Sequence, residues 1–148
     1  MRLSKKENDF KLKLKAEFVY GTSTKPSYFS GNLTDANIFR IKAEFNNSGN
    51  LNDFYIISNS LIRKYFFNST FTVKSRDKKL KLFLEQNKKV NTIYDISYDS
   101  AEISPMIEAD VKNNKVFIDI NYQSFETNLN ILDEMLQFCT FLKSYKND

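Results

Sequence analysis

Between residues 10 and 20 the chain alternates without a break. Phe10, Leu12, Leu14, Ala16, Phe18 and Tyr20 are apolar, and Lys11, Lys13, Lys15 and Glu17 stand between them. Successive side chains of an extended chain point to opposite faces, so a period of two makes a strand with one face in a core and one in water. A helix would scatter the same residues around its circumference. The chain therefore builds a sheet with a charged face, and the charge on this strand is mostly lysine.

The pattern recurs. Phe39, Ile41, Ala43 and Phe45 alternate with Arg40, Lys42 and Glu44, after a segment holding Gly21, Pro26 and Gly31 that reads as a loop. Beyond Asn46-Asn47-Ser48-Gly49 the stretch 51–67 is mixed, and its apolar spacing predicts a helix from Leu51. Phe71 and Val73 suggest a strand. Leu80, Leu82 and Leu84 alternate with Lys79, Lys81 and Phe83 and predict another, ending at Asn87, and 92–98 reads as extended. Pro105 marks a boundary, since it lacks an N–H and restricts the residue before it.

A hairpin follows. Ile107, Ala109 and Val111 form one apolar row and Val116, Ile118, Ile120 and Tyr122 the other, joined through Lys112-Asn113-Asn114-Lys115. Asparagine tolerates the positive φ of a tight hairpin turn. With Asn113-Asn114 as the turn, Glu108 faces Asp119 across the ladder and both share a face with Asp110. Like charges directly opposite one another are destabilising, so a neighbouring basic strand, a basic partner or a cation has to answer this acidic cluster, in that order of expectation.

Residues 125–145 predict a long C-terminal helix capped by Ser124. Its apolar positions span roughly 200° of the circumference, twice the stripe a one-sided helix needs. Either the sheet grips it widely or part of it, with Phe138, Phe141 and Tyr145, meets another chain. The expected fold is α+β: a mainly antiparallel, curved sheet of about six to seven strands packed on this helix, in a single domain over residues 1–148.

Composition excludes several chemistries. The 148 residues contain no histidine and one cysteine, Cys139, so an internal disulfide, the common zinc sites and imidazole acid–base catalysis are all outside the chain's means. Its three glycines fall in no phosphate-binding or dinucleotide pattern. Asp95, Asp99 and Glu102 form a second acidic cluster, in a setting that reads as a loop and not as a catalytic pair. We expect no catalytic residue, metal or cofactor. No apolar run approaches the ~18 residues of a membrane span, and the opening residues lack the apolar stretch of a secretory signal, so a cytoplasmic protein is expected.

Charge is uneven along the chain. Residues 1–90 carry 18 Lys and Arg against 8 Asp and Glu, residues 91–148 carry 4 against 10, and the whole is +4. Lys11, Lys13, Lys15, Arg40, Lys42, Lys79 and Lys81 all fall in the solvent register of expected strands. If those strands adjoin, they make one basic face suited to nucleic acid or a nucleotide, with Phe83 or Tyr20 near its rim. The leading expectation is nevertheless a non-enzymatic protein-interaction module of the inhibitor, immunity, adaptor or accessory kind. Nucleic-acid or nucleotide binding through the basic face is the first alternative, and an apolar-ligand carrier with a cavity between sheet and helix the second. A protein partner is expected before nucleic acid, a homodimer is a further option, and no membrane partner is expected.

Overall fold

A computed structural model describes residues 2–7, 10–19, 36–99, 103–124 and 129–147. Strands β1 (Arg2–Glu7), β2 (Phe10–Val19), β3 (Ala36–Asn46), β4 (Phe54–Ser58), β5 (Phe71–Ser75), β6 (Ile103–Lys112) and β7 (Lys115–Ser124) alternate with helices α1 (Leu61–Phe67), α2 (Lys78–Gln86), α3 (Lys88–Asp99) and α4 (Leu129–Ser144). The strands hydrogen-bond in the order β1-β2-β3-β7-β6-β4-β5, every pair antiparallel. The protein is thus α+β, with an antiparallel sheet and a helix near its C-terminal end.

Alternation decides the layers. Ile41, Ala43 and Phe45 of β3, Phe54 and Ile56 of β4, Phe71 and Val73 of β5, Ile107 and Ala109 of β6, and Val116, Ile118, Ile120 and Tyr122 of β7 are all buried. They face Leu80 and Leu84 of α2, Val90, Ile93 and Tyr94 of α3, and Ile131, Met135, Phe138, Cys139 and Leu142 of α4, in one hydrophobic cluster. Side chains are described at fewer positions of β1 and β2. Five strands, β3 to β7, carry the described core, fewer than the six to seven expected to do so, and β1 and β2 continue the ladder beyond β3.

Two of the expected strands are helices, and two strands, β1 and β4, were not expected. Leu80 and Leu84 are fully buried while Leu82 is 55% exposed, so the leucines lie one helical turn apart and do not share a strand face. Asp77 starts α2: its carboxylate accepts from the N–H groups of Lys79 (2.9 Å) and Leu80 (3.0 Å). Asn87 ends α2 and caps α3, accepting from Lys89 N–H at 2.9 Å. In α3, Val90, Ile93, Tyr94 and Ser97 make a buried stripe at helical spacing. The helix expected from Leu51 is instead β4, the extended cap residue Ser60, and then the short α1.

The expected hairpin is present. Asn113 and Asn114 take φ of 51° and 58°, and Glu108 stands opposite Asp119. Pro105 lies inside β6 and not at its boundary, at an irregularity in the register between Ile103 and Met106 where a residue without an N–H breaks no ladder bond. Its carbonyl accepts the buried Tyr94 hydroxyl at 2.8 Å. The loop expected around Gly21, Pro26 and Gly31, together with Tyr20, Glu102 and the helix start at 125–128, lies outside the described residues.

Candidate functional site

The segment 59–70 leaves the sheet between β4 and β5, carries α1, and returns to the neighbouring strand. Asn59 closes its base: the amide N–H donates to the Thr70 carbonyl at 2.8 Å and the side chain donates to the carbonyls of Ser69 (3.0 Å) and Phe71 (2.9 Å). The Thr72 hydroxyl donates back to the Asn59 side-chain oxygen. Ser60 caps the first turn by accepting from Arg63 N–H at 3.3 Å, and Asn68, at φ 48°, ends the helix in the left-handed conformation with its N–H on the Lys64 carbonyl. A seven-residue helix is marginal alone, so this bracing is what holds it.

The braced helix presents apolar side chains to water. Ile62 is 72% exposed, Tyr65 86%, Phe66 74% and Phe67 71%. Tyr65 and Phe66 meet edge-to-face at 5.7 Å, and the Arg63 guanidinium lies 6.0 Å from the centre of the Phe67 ring. Three aromatic rings and an isoleucine at these exposures leave on the order of 500–600 Å² of apolar surface in water. That equals the largest patches seen on soluble monomers, which are commonly functional. Sequence reasoning placed these residues inside a longer helix and did not single them out. The available signal was Ile62, Tyr65, Phe66 and Phe67 crowded between Asn59-Ser60 and Asn68-Ser69 with too few residues to reach the core.

The outer face of the sheet is the second feature, and none of its described side chains is buried. Two acids of the cluster expected on the hairpin are answered within the fold: Lys42 on β3 reaches Asp119 at 3.2 Å and Lys112 reaches Asp110 at 2.8 Å. Glu44 takes Lys115 at 2.8 Å and Lys11 at 3.6 Å. The Lys115 hydrogen bond, helped by the charge of Lys11, holds the Glu44 carboxyl below its ordinary range against the opposing effect of burial. The Asp110 carboxylate raises the Lys112 ammonium. Glu108 lies beside Tyr55 in the β4 register. Among the described residues, no three acidic or cysteine side chains converge as a metal site would need.

Of the basic set, Lys11, Lys13, Lys15, Arg40 and Lys42 come together on adjacent strands, with Lys13 opposite Lys42 and Lys15 opposite Arg40. Lys79 and Lys81 do not join them, because they belong to α2; Lys81 pairs with Glu85 one turn on, at 3.9 Å. Asp95 sits on α3, not in a loop, and accepts from the Thr70 hydroxyl at 3.2 Å; Asp99 ends the same helix.

The wide apolar arc of α4 is covered from inside the chain. Phe138 is fully buried, so it faces the domain's own core and not a partner. Phe141 stacks on Phe83 of α2 with centroids 5.7 Å apart, and the Tyr145 ring meets the same Phe83 tilted, at 4.8 Å. Burial pushes the Cys139 thiol up to about 12, far from a reactive thiolate. A hollow of about 1080 Å³ opens around Asp53, Tyr55, Lys74, Arg76, Asp77 and Glu108. Its lining is mixed and charged.

The fold and these surfaces define a two-layer α+β domain, with three helices on one sheet face and a charged second face whose described side chains are all at least partly exposed. Comparison with protein families, with curated proteins and with solved structures finds no match to this chain.

Proposed function

We propose that this chain is a non-enzymatic protein-interaction domain that docks on a partner protein through α1. The observation that carries the reading is the exposure of Ile62, Tyr65, Phe66 and Phe67 on a helix capped at both ends and laced at its base. Aromatic side chains dominate the energetic centres of protein interfaces. A helix already ordered in the free protein loses little entropy when it docks. Its patch approaches the roughly 800 Å² per partner of a standard interface, so a modest rim around it completes one.

The chemistry of α1 also describes the partner. The helix carries Arg63 and Lys64 and no acidic residue, so it fits an apolar groove with an acidic rim. An inhibitor, an immunity protein or an adaptor would each use such a surface. The test is paired affinity capture with the intact chain and its Tyr65→Ser/Phe66→Ser variant, both verified as folded by circular dichroism. A protein held by the parent and lost with the variant supports the reading. Equal retention on both overturns it.

A further inference from the structure

One row of the ladder runs through the hollow of about 1080 Å³ described above. Glu108 of β6 stands opposite Tyr55 of β4, and Tyr55 stands opposite Lys74 of β5. Arg76, two residues past Lys74, lines the same space. Glu108, Lys74 and Arg76 are exposed and the Tyr55 ring is half-buried between them. The other charges of the hollow are committed inside the fold. Asp53 accepts from the Val111 N–H at 2.6 Å, Asp110 holds Lys112 at 2.8 Å, Asp77 caps α2, and Lys81 reaches Glu85 at 3.9 Å. Among the described residues, no ion pair or side-chain hydrogen bond engages Glu108, Tyr55, Lys74 or Arg76. An uncommitted carboxylate, an aromatic ring and two uncommitted cations thus share one cavity, in that order across three strands.

Spacing and charge identify what fits. Adjacent strands lie about 4.8 Å apart, so the Glu108 and Lys74 backbones are about 9.6 Å apart with the ring between them. A nucleoside monophosphate has the same layout: a planar base, a polar edge on one side of it and an anion on the other. A base stacked on Tyr55 turns that edge toward Glu108 and its phosphate toward Lys74 and Arg76. An ionised carboxylate only accepts hydrogen bonds, so it suits an edge with two adjacent donors. Guanine has them in N1–H and the N2 amino group, whereas adenine sets a donor beside an acceptor. The lining also limits the phosphates to one. Its four acids outnumber Lys74, Arg76 and Lys81, and Lys112 beside Asp110 makes the balance even, which leaves no surplus positive charge for a triphosphate. We infer that this hollow binds a guanosine monophosphate group, with the base on Tyr55 against Glu108 and the phosphate on Lys74 and Arg76. This does not rest on the docking role of α1.

Equilibrium dialysis of radiolabelled 5′-GMP against the intact chain at low salt tests the inference. Expected is a dissociation constant of about 10–300 μM, weak because the contacting charges are exposed. AMP and GTP should each bind several-fold more weakly than GMP. Lys74→Ala/Arg76→Ala and Tyr55→Leu should each weaken GMP at least about fivefold. Glu108→Gln should weaken GMP by a similar factor and bring AMP level with it, because a glutamine amide offers a donor and an acceptor. A merely structural Glu108 would not move that ratio. Lys88→Ala, outside the hollow, should leave affinity within about twofold. The same group occurs free and within RNA, so the trinucleotide U-G-U separates the sources: tighter binding than GMP assigns the site to an RNA strand, equal or weaker binding to the free nucleotide. Thermal melts confirm that each variant is folded. No GMP bound at about 1 mM overturns the inference. So does AMP or GTP binding as tightly as GMP, or a Glu108→Gln variant that keeps the parent's preference.

Discussion

Replacing Phe66 with alanine distinguishes a helix displayed to solvent from one that is part of the core. Phe66 is 74% exposed, so folding removes only about a quarter of its surface from water. Full burial of phenylalanine stabilises by up to about 3 kcal/mol, so its contribution here is roughly 0.5–0.8 kcal/mol. Alanine recovers about 0.5 kcal/mol through its higher helix propensity. The two effects nearly cancel, and the melting temperature should move by no more than about 2 °C in a domain of this size. Phe138→Ala is the internal comparison: that side chain is fully buried, and deleting it should cost about 3–5 kcal/mol. The chain has no tryptophan, so far-UV circular dichroism against temperature and urea is the suitable assay. A fall of more than about 6 °C for Phe66→Ala would place the ring in a packed environment and refute the reasoning, since it would exceed anything a quarter-buried side chain can supply.

Other consequences follow from the way the chain ends are held. A Cβ on Gly49 would lie 1.7 Å from the Tyr145 carbonyl oxygen, and Asn147 N–H donates to the Gly49 carbonyl at 2.8 Å. Gly49→Ala should therefore cost about 1–3 kcal/mol in urea unfolding, and an unchanged midpoint would contradict the docking of 145–147 on the turn after β3. Asp77 accepts from Asn52 (2.8 Å) and Asn147 (3.0 Å) besides capping α2, so Asp77→Ala should cost about 1–2 kcal/mol by the same measurement. The Leu80 N–H, then Asn52, hold the Asp77 carboxyl below its ordinary value of 3.8. A carboxyl depressed in the folded state stabilises above its unfolded pKa, and that contribution is lost as pH falls through the folded one. Acid unfolding below about pH 4 should thus be shallower in Asp77→Asn than in the parent protein. Cys139, raised by burial to about 12, should resist a disulfide reagent at pH 8 in the native protein and react fully in denaturant.

How much of this could be read from the sequence depended on whether one side chain in two, or one in four, met the core. Strands β2, β3, β6 and β7 were legible because their alternation runs for many residues and both hairpin asparagines tolerate positive φ. The opposition of Glu108 and Asp119 and its neutralisation by a basic neighbour followed from that register. Strand β1 was not read, since Arg2–Glu7 contains one large apolar residue, Leu3. Helix α2 was misread because Leu80, Leu82 and Leu84 satisfy both periods, and only the tertiary fold leaves Leu82 in water. In α3 the β-branched Val90, Thr92, Ile93 and Ile96 argued for a strand, and packing against β6 and α4 overrode that propensity. The α1 patch was hidden for a different reason. Apolar residues were assigned to the core by default, and the one local signal, their crowding between Asn59-Ser60 and Asn68-Ser69, does not say which way Tyr65 and Phe66 face.

A photo-reactive phenylalanine analogue placed at position 66, with a second version carrying it at the exposed position 74 on β5, tests the docking role of α1 in the cell of origin. The account predicts one protein adduct of discrete mass from position 66, absent from position 74 and competed by the unmodified chain. Adducts at equal level from both positions, or none from position 66, would contradict it.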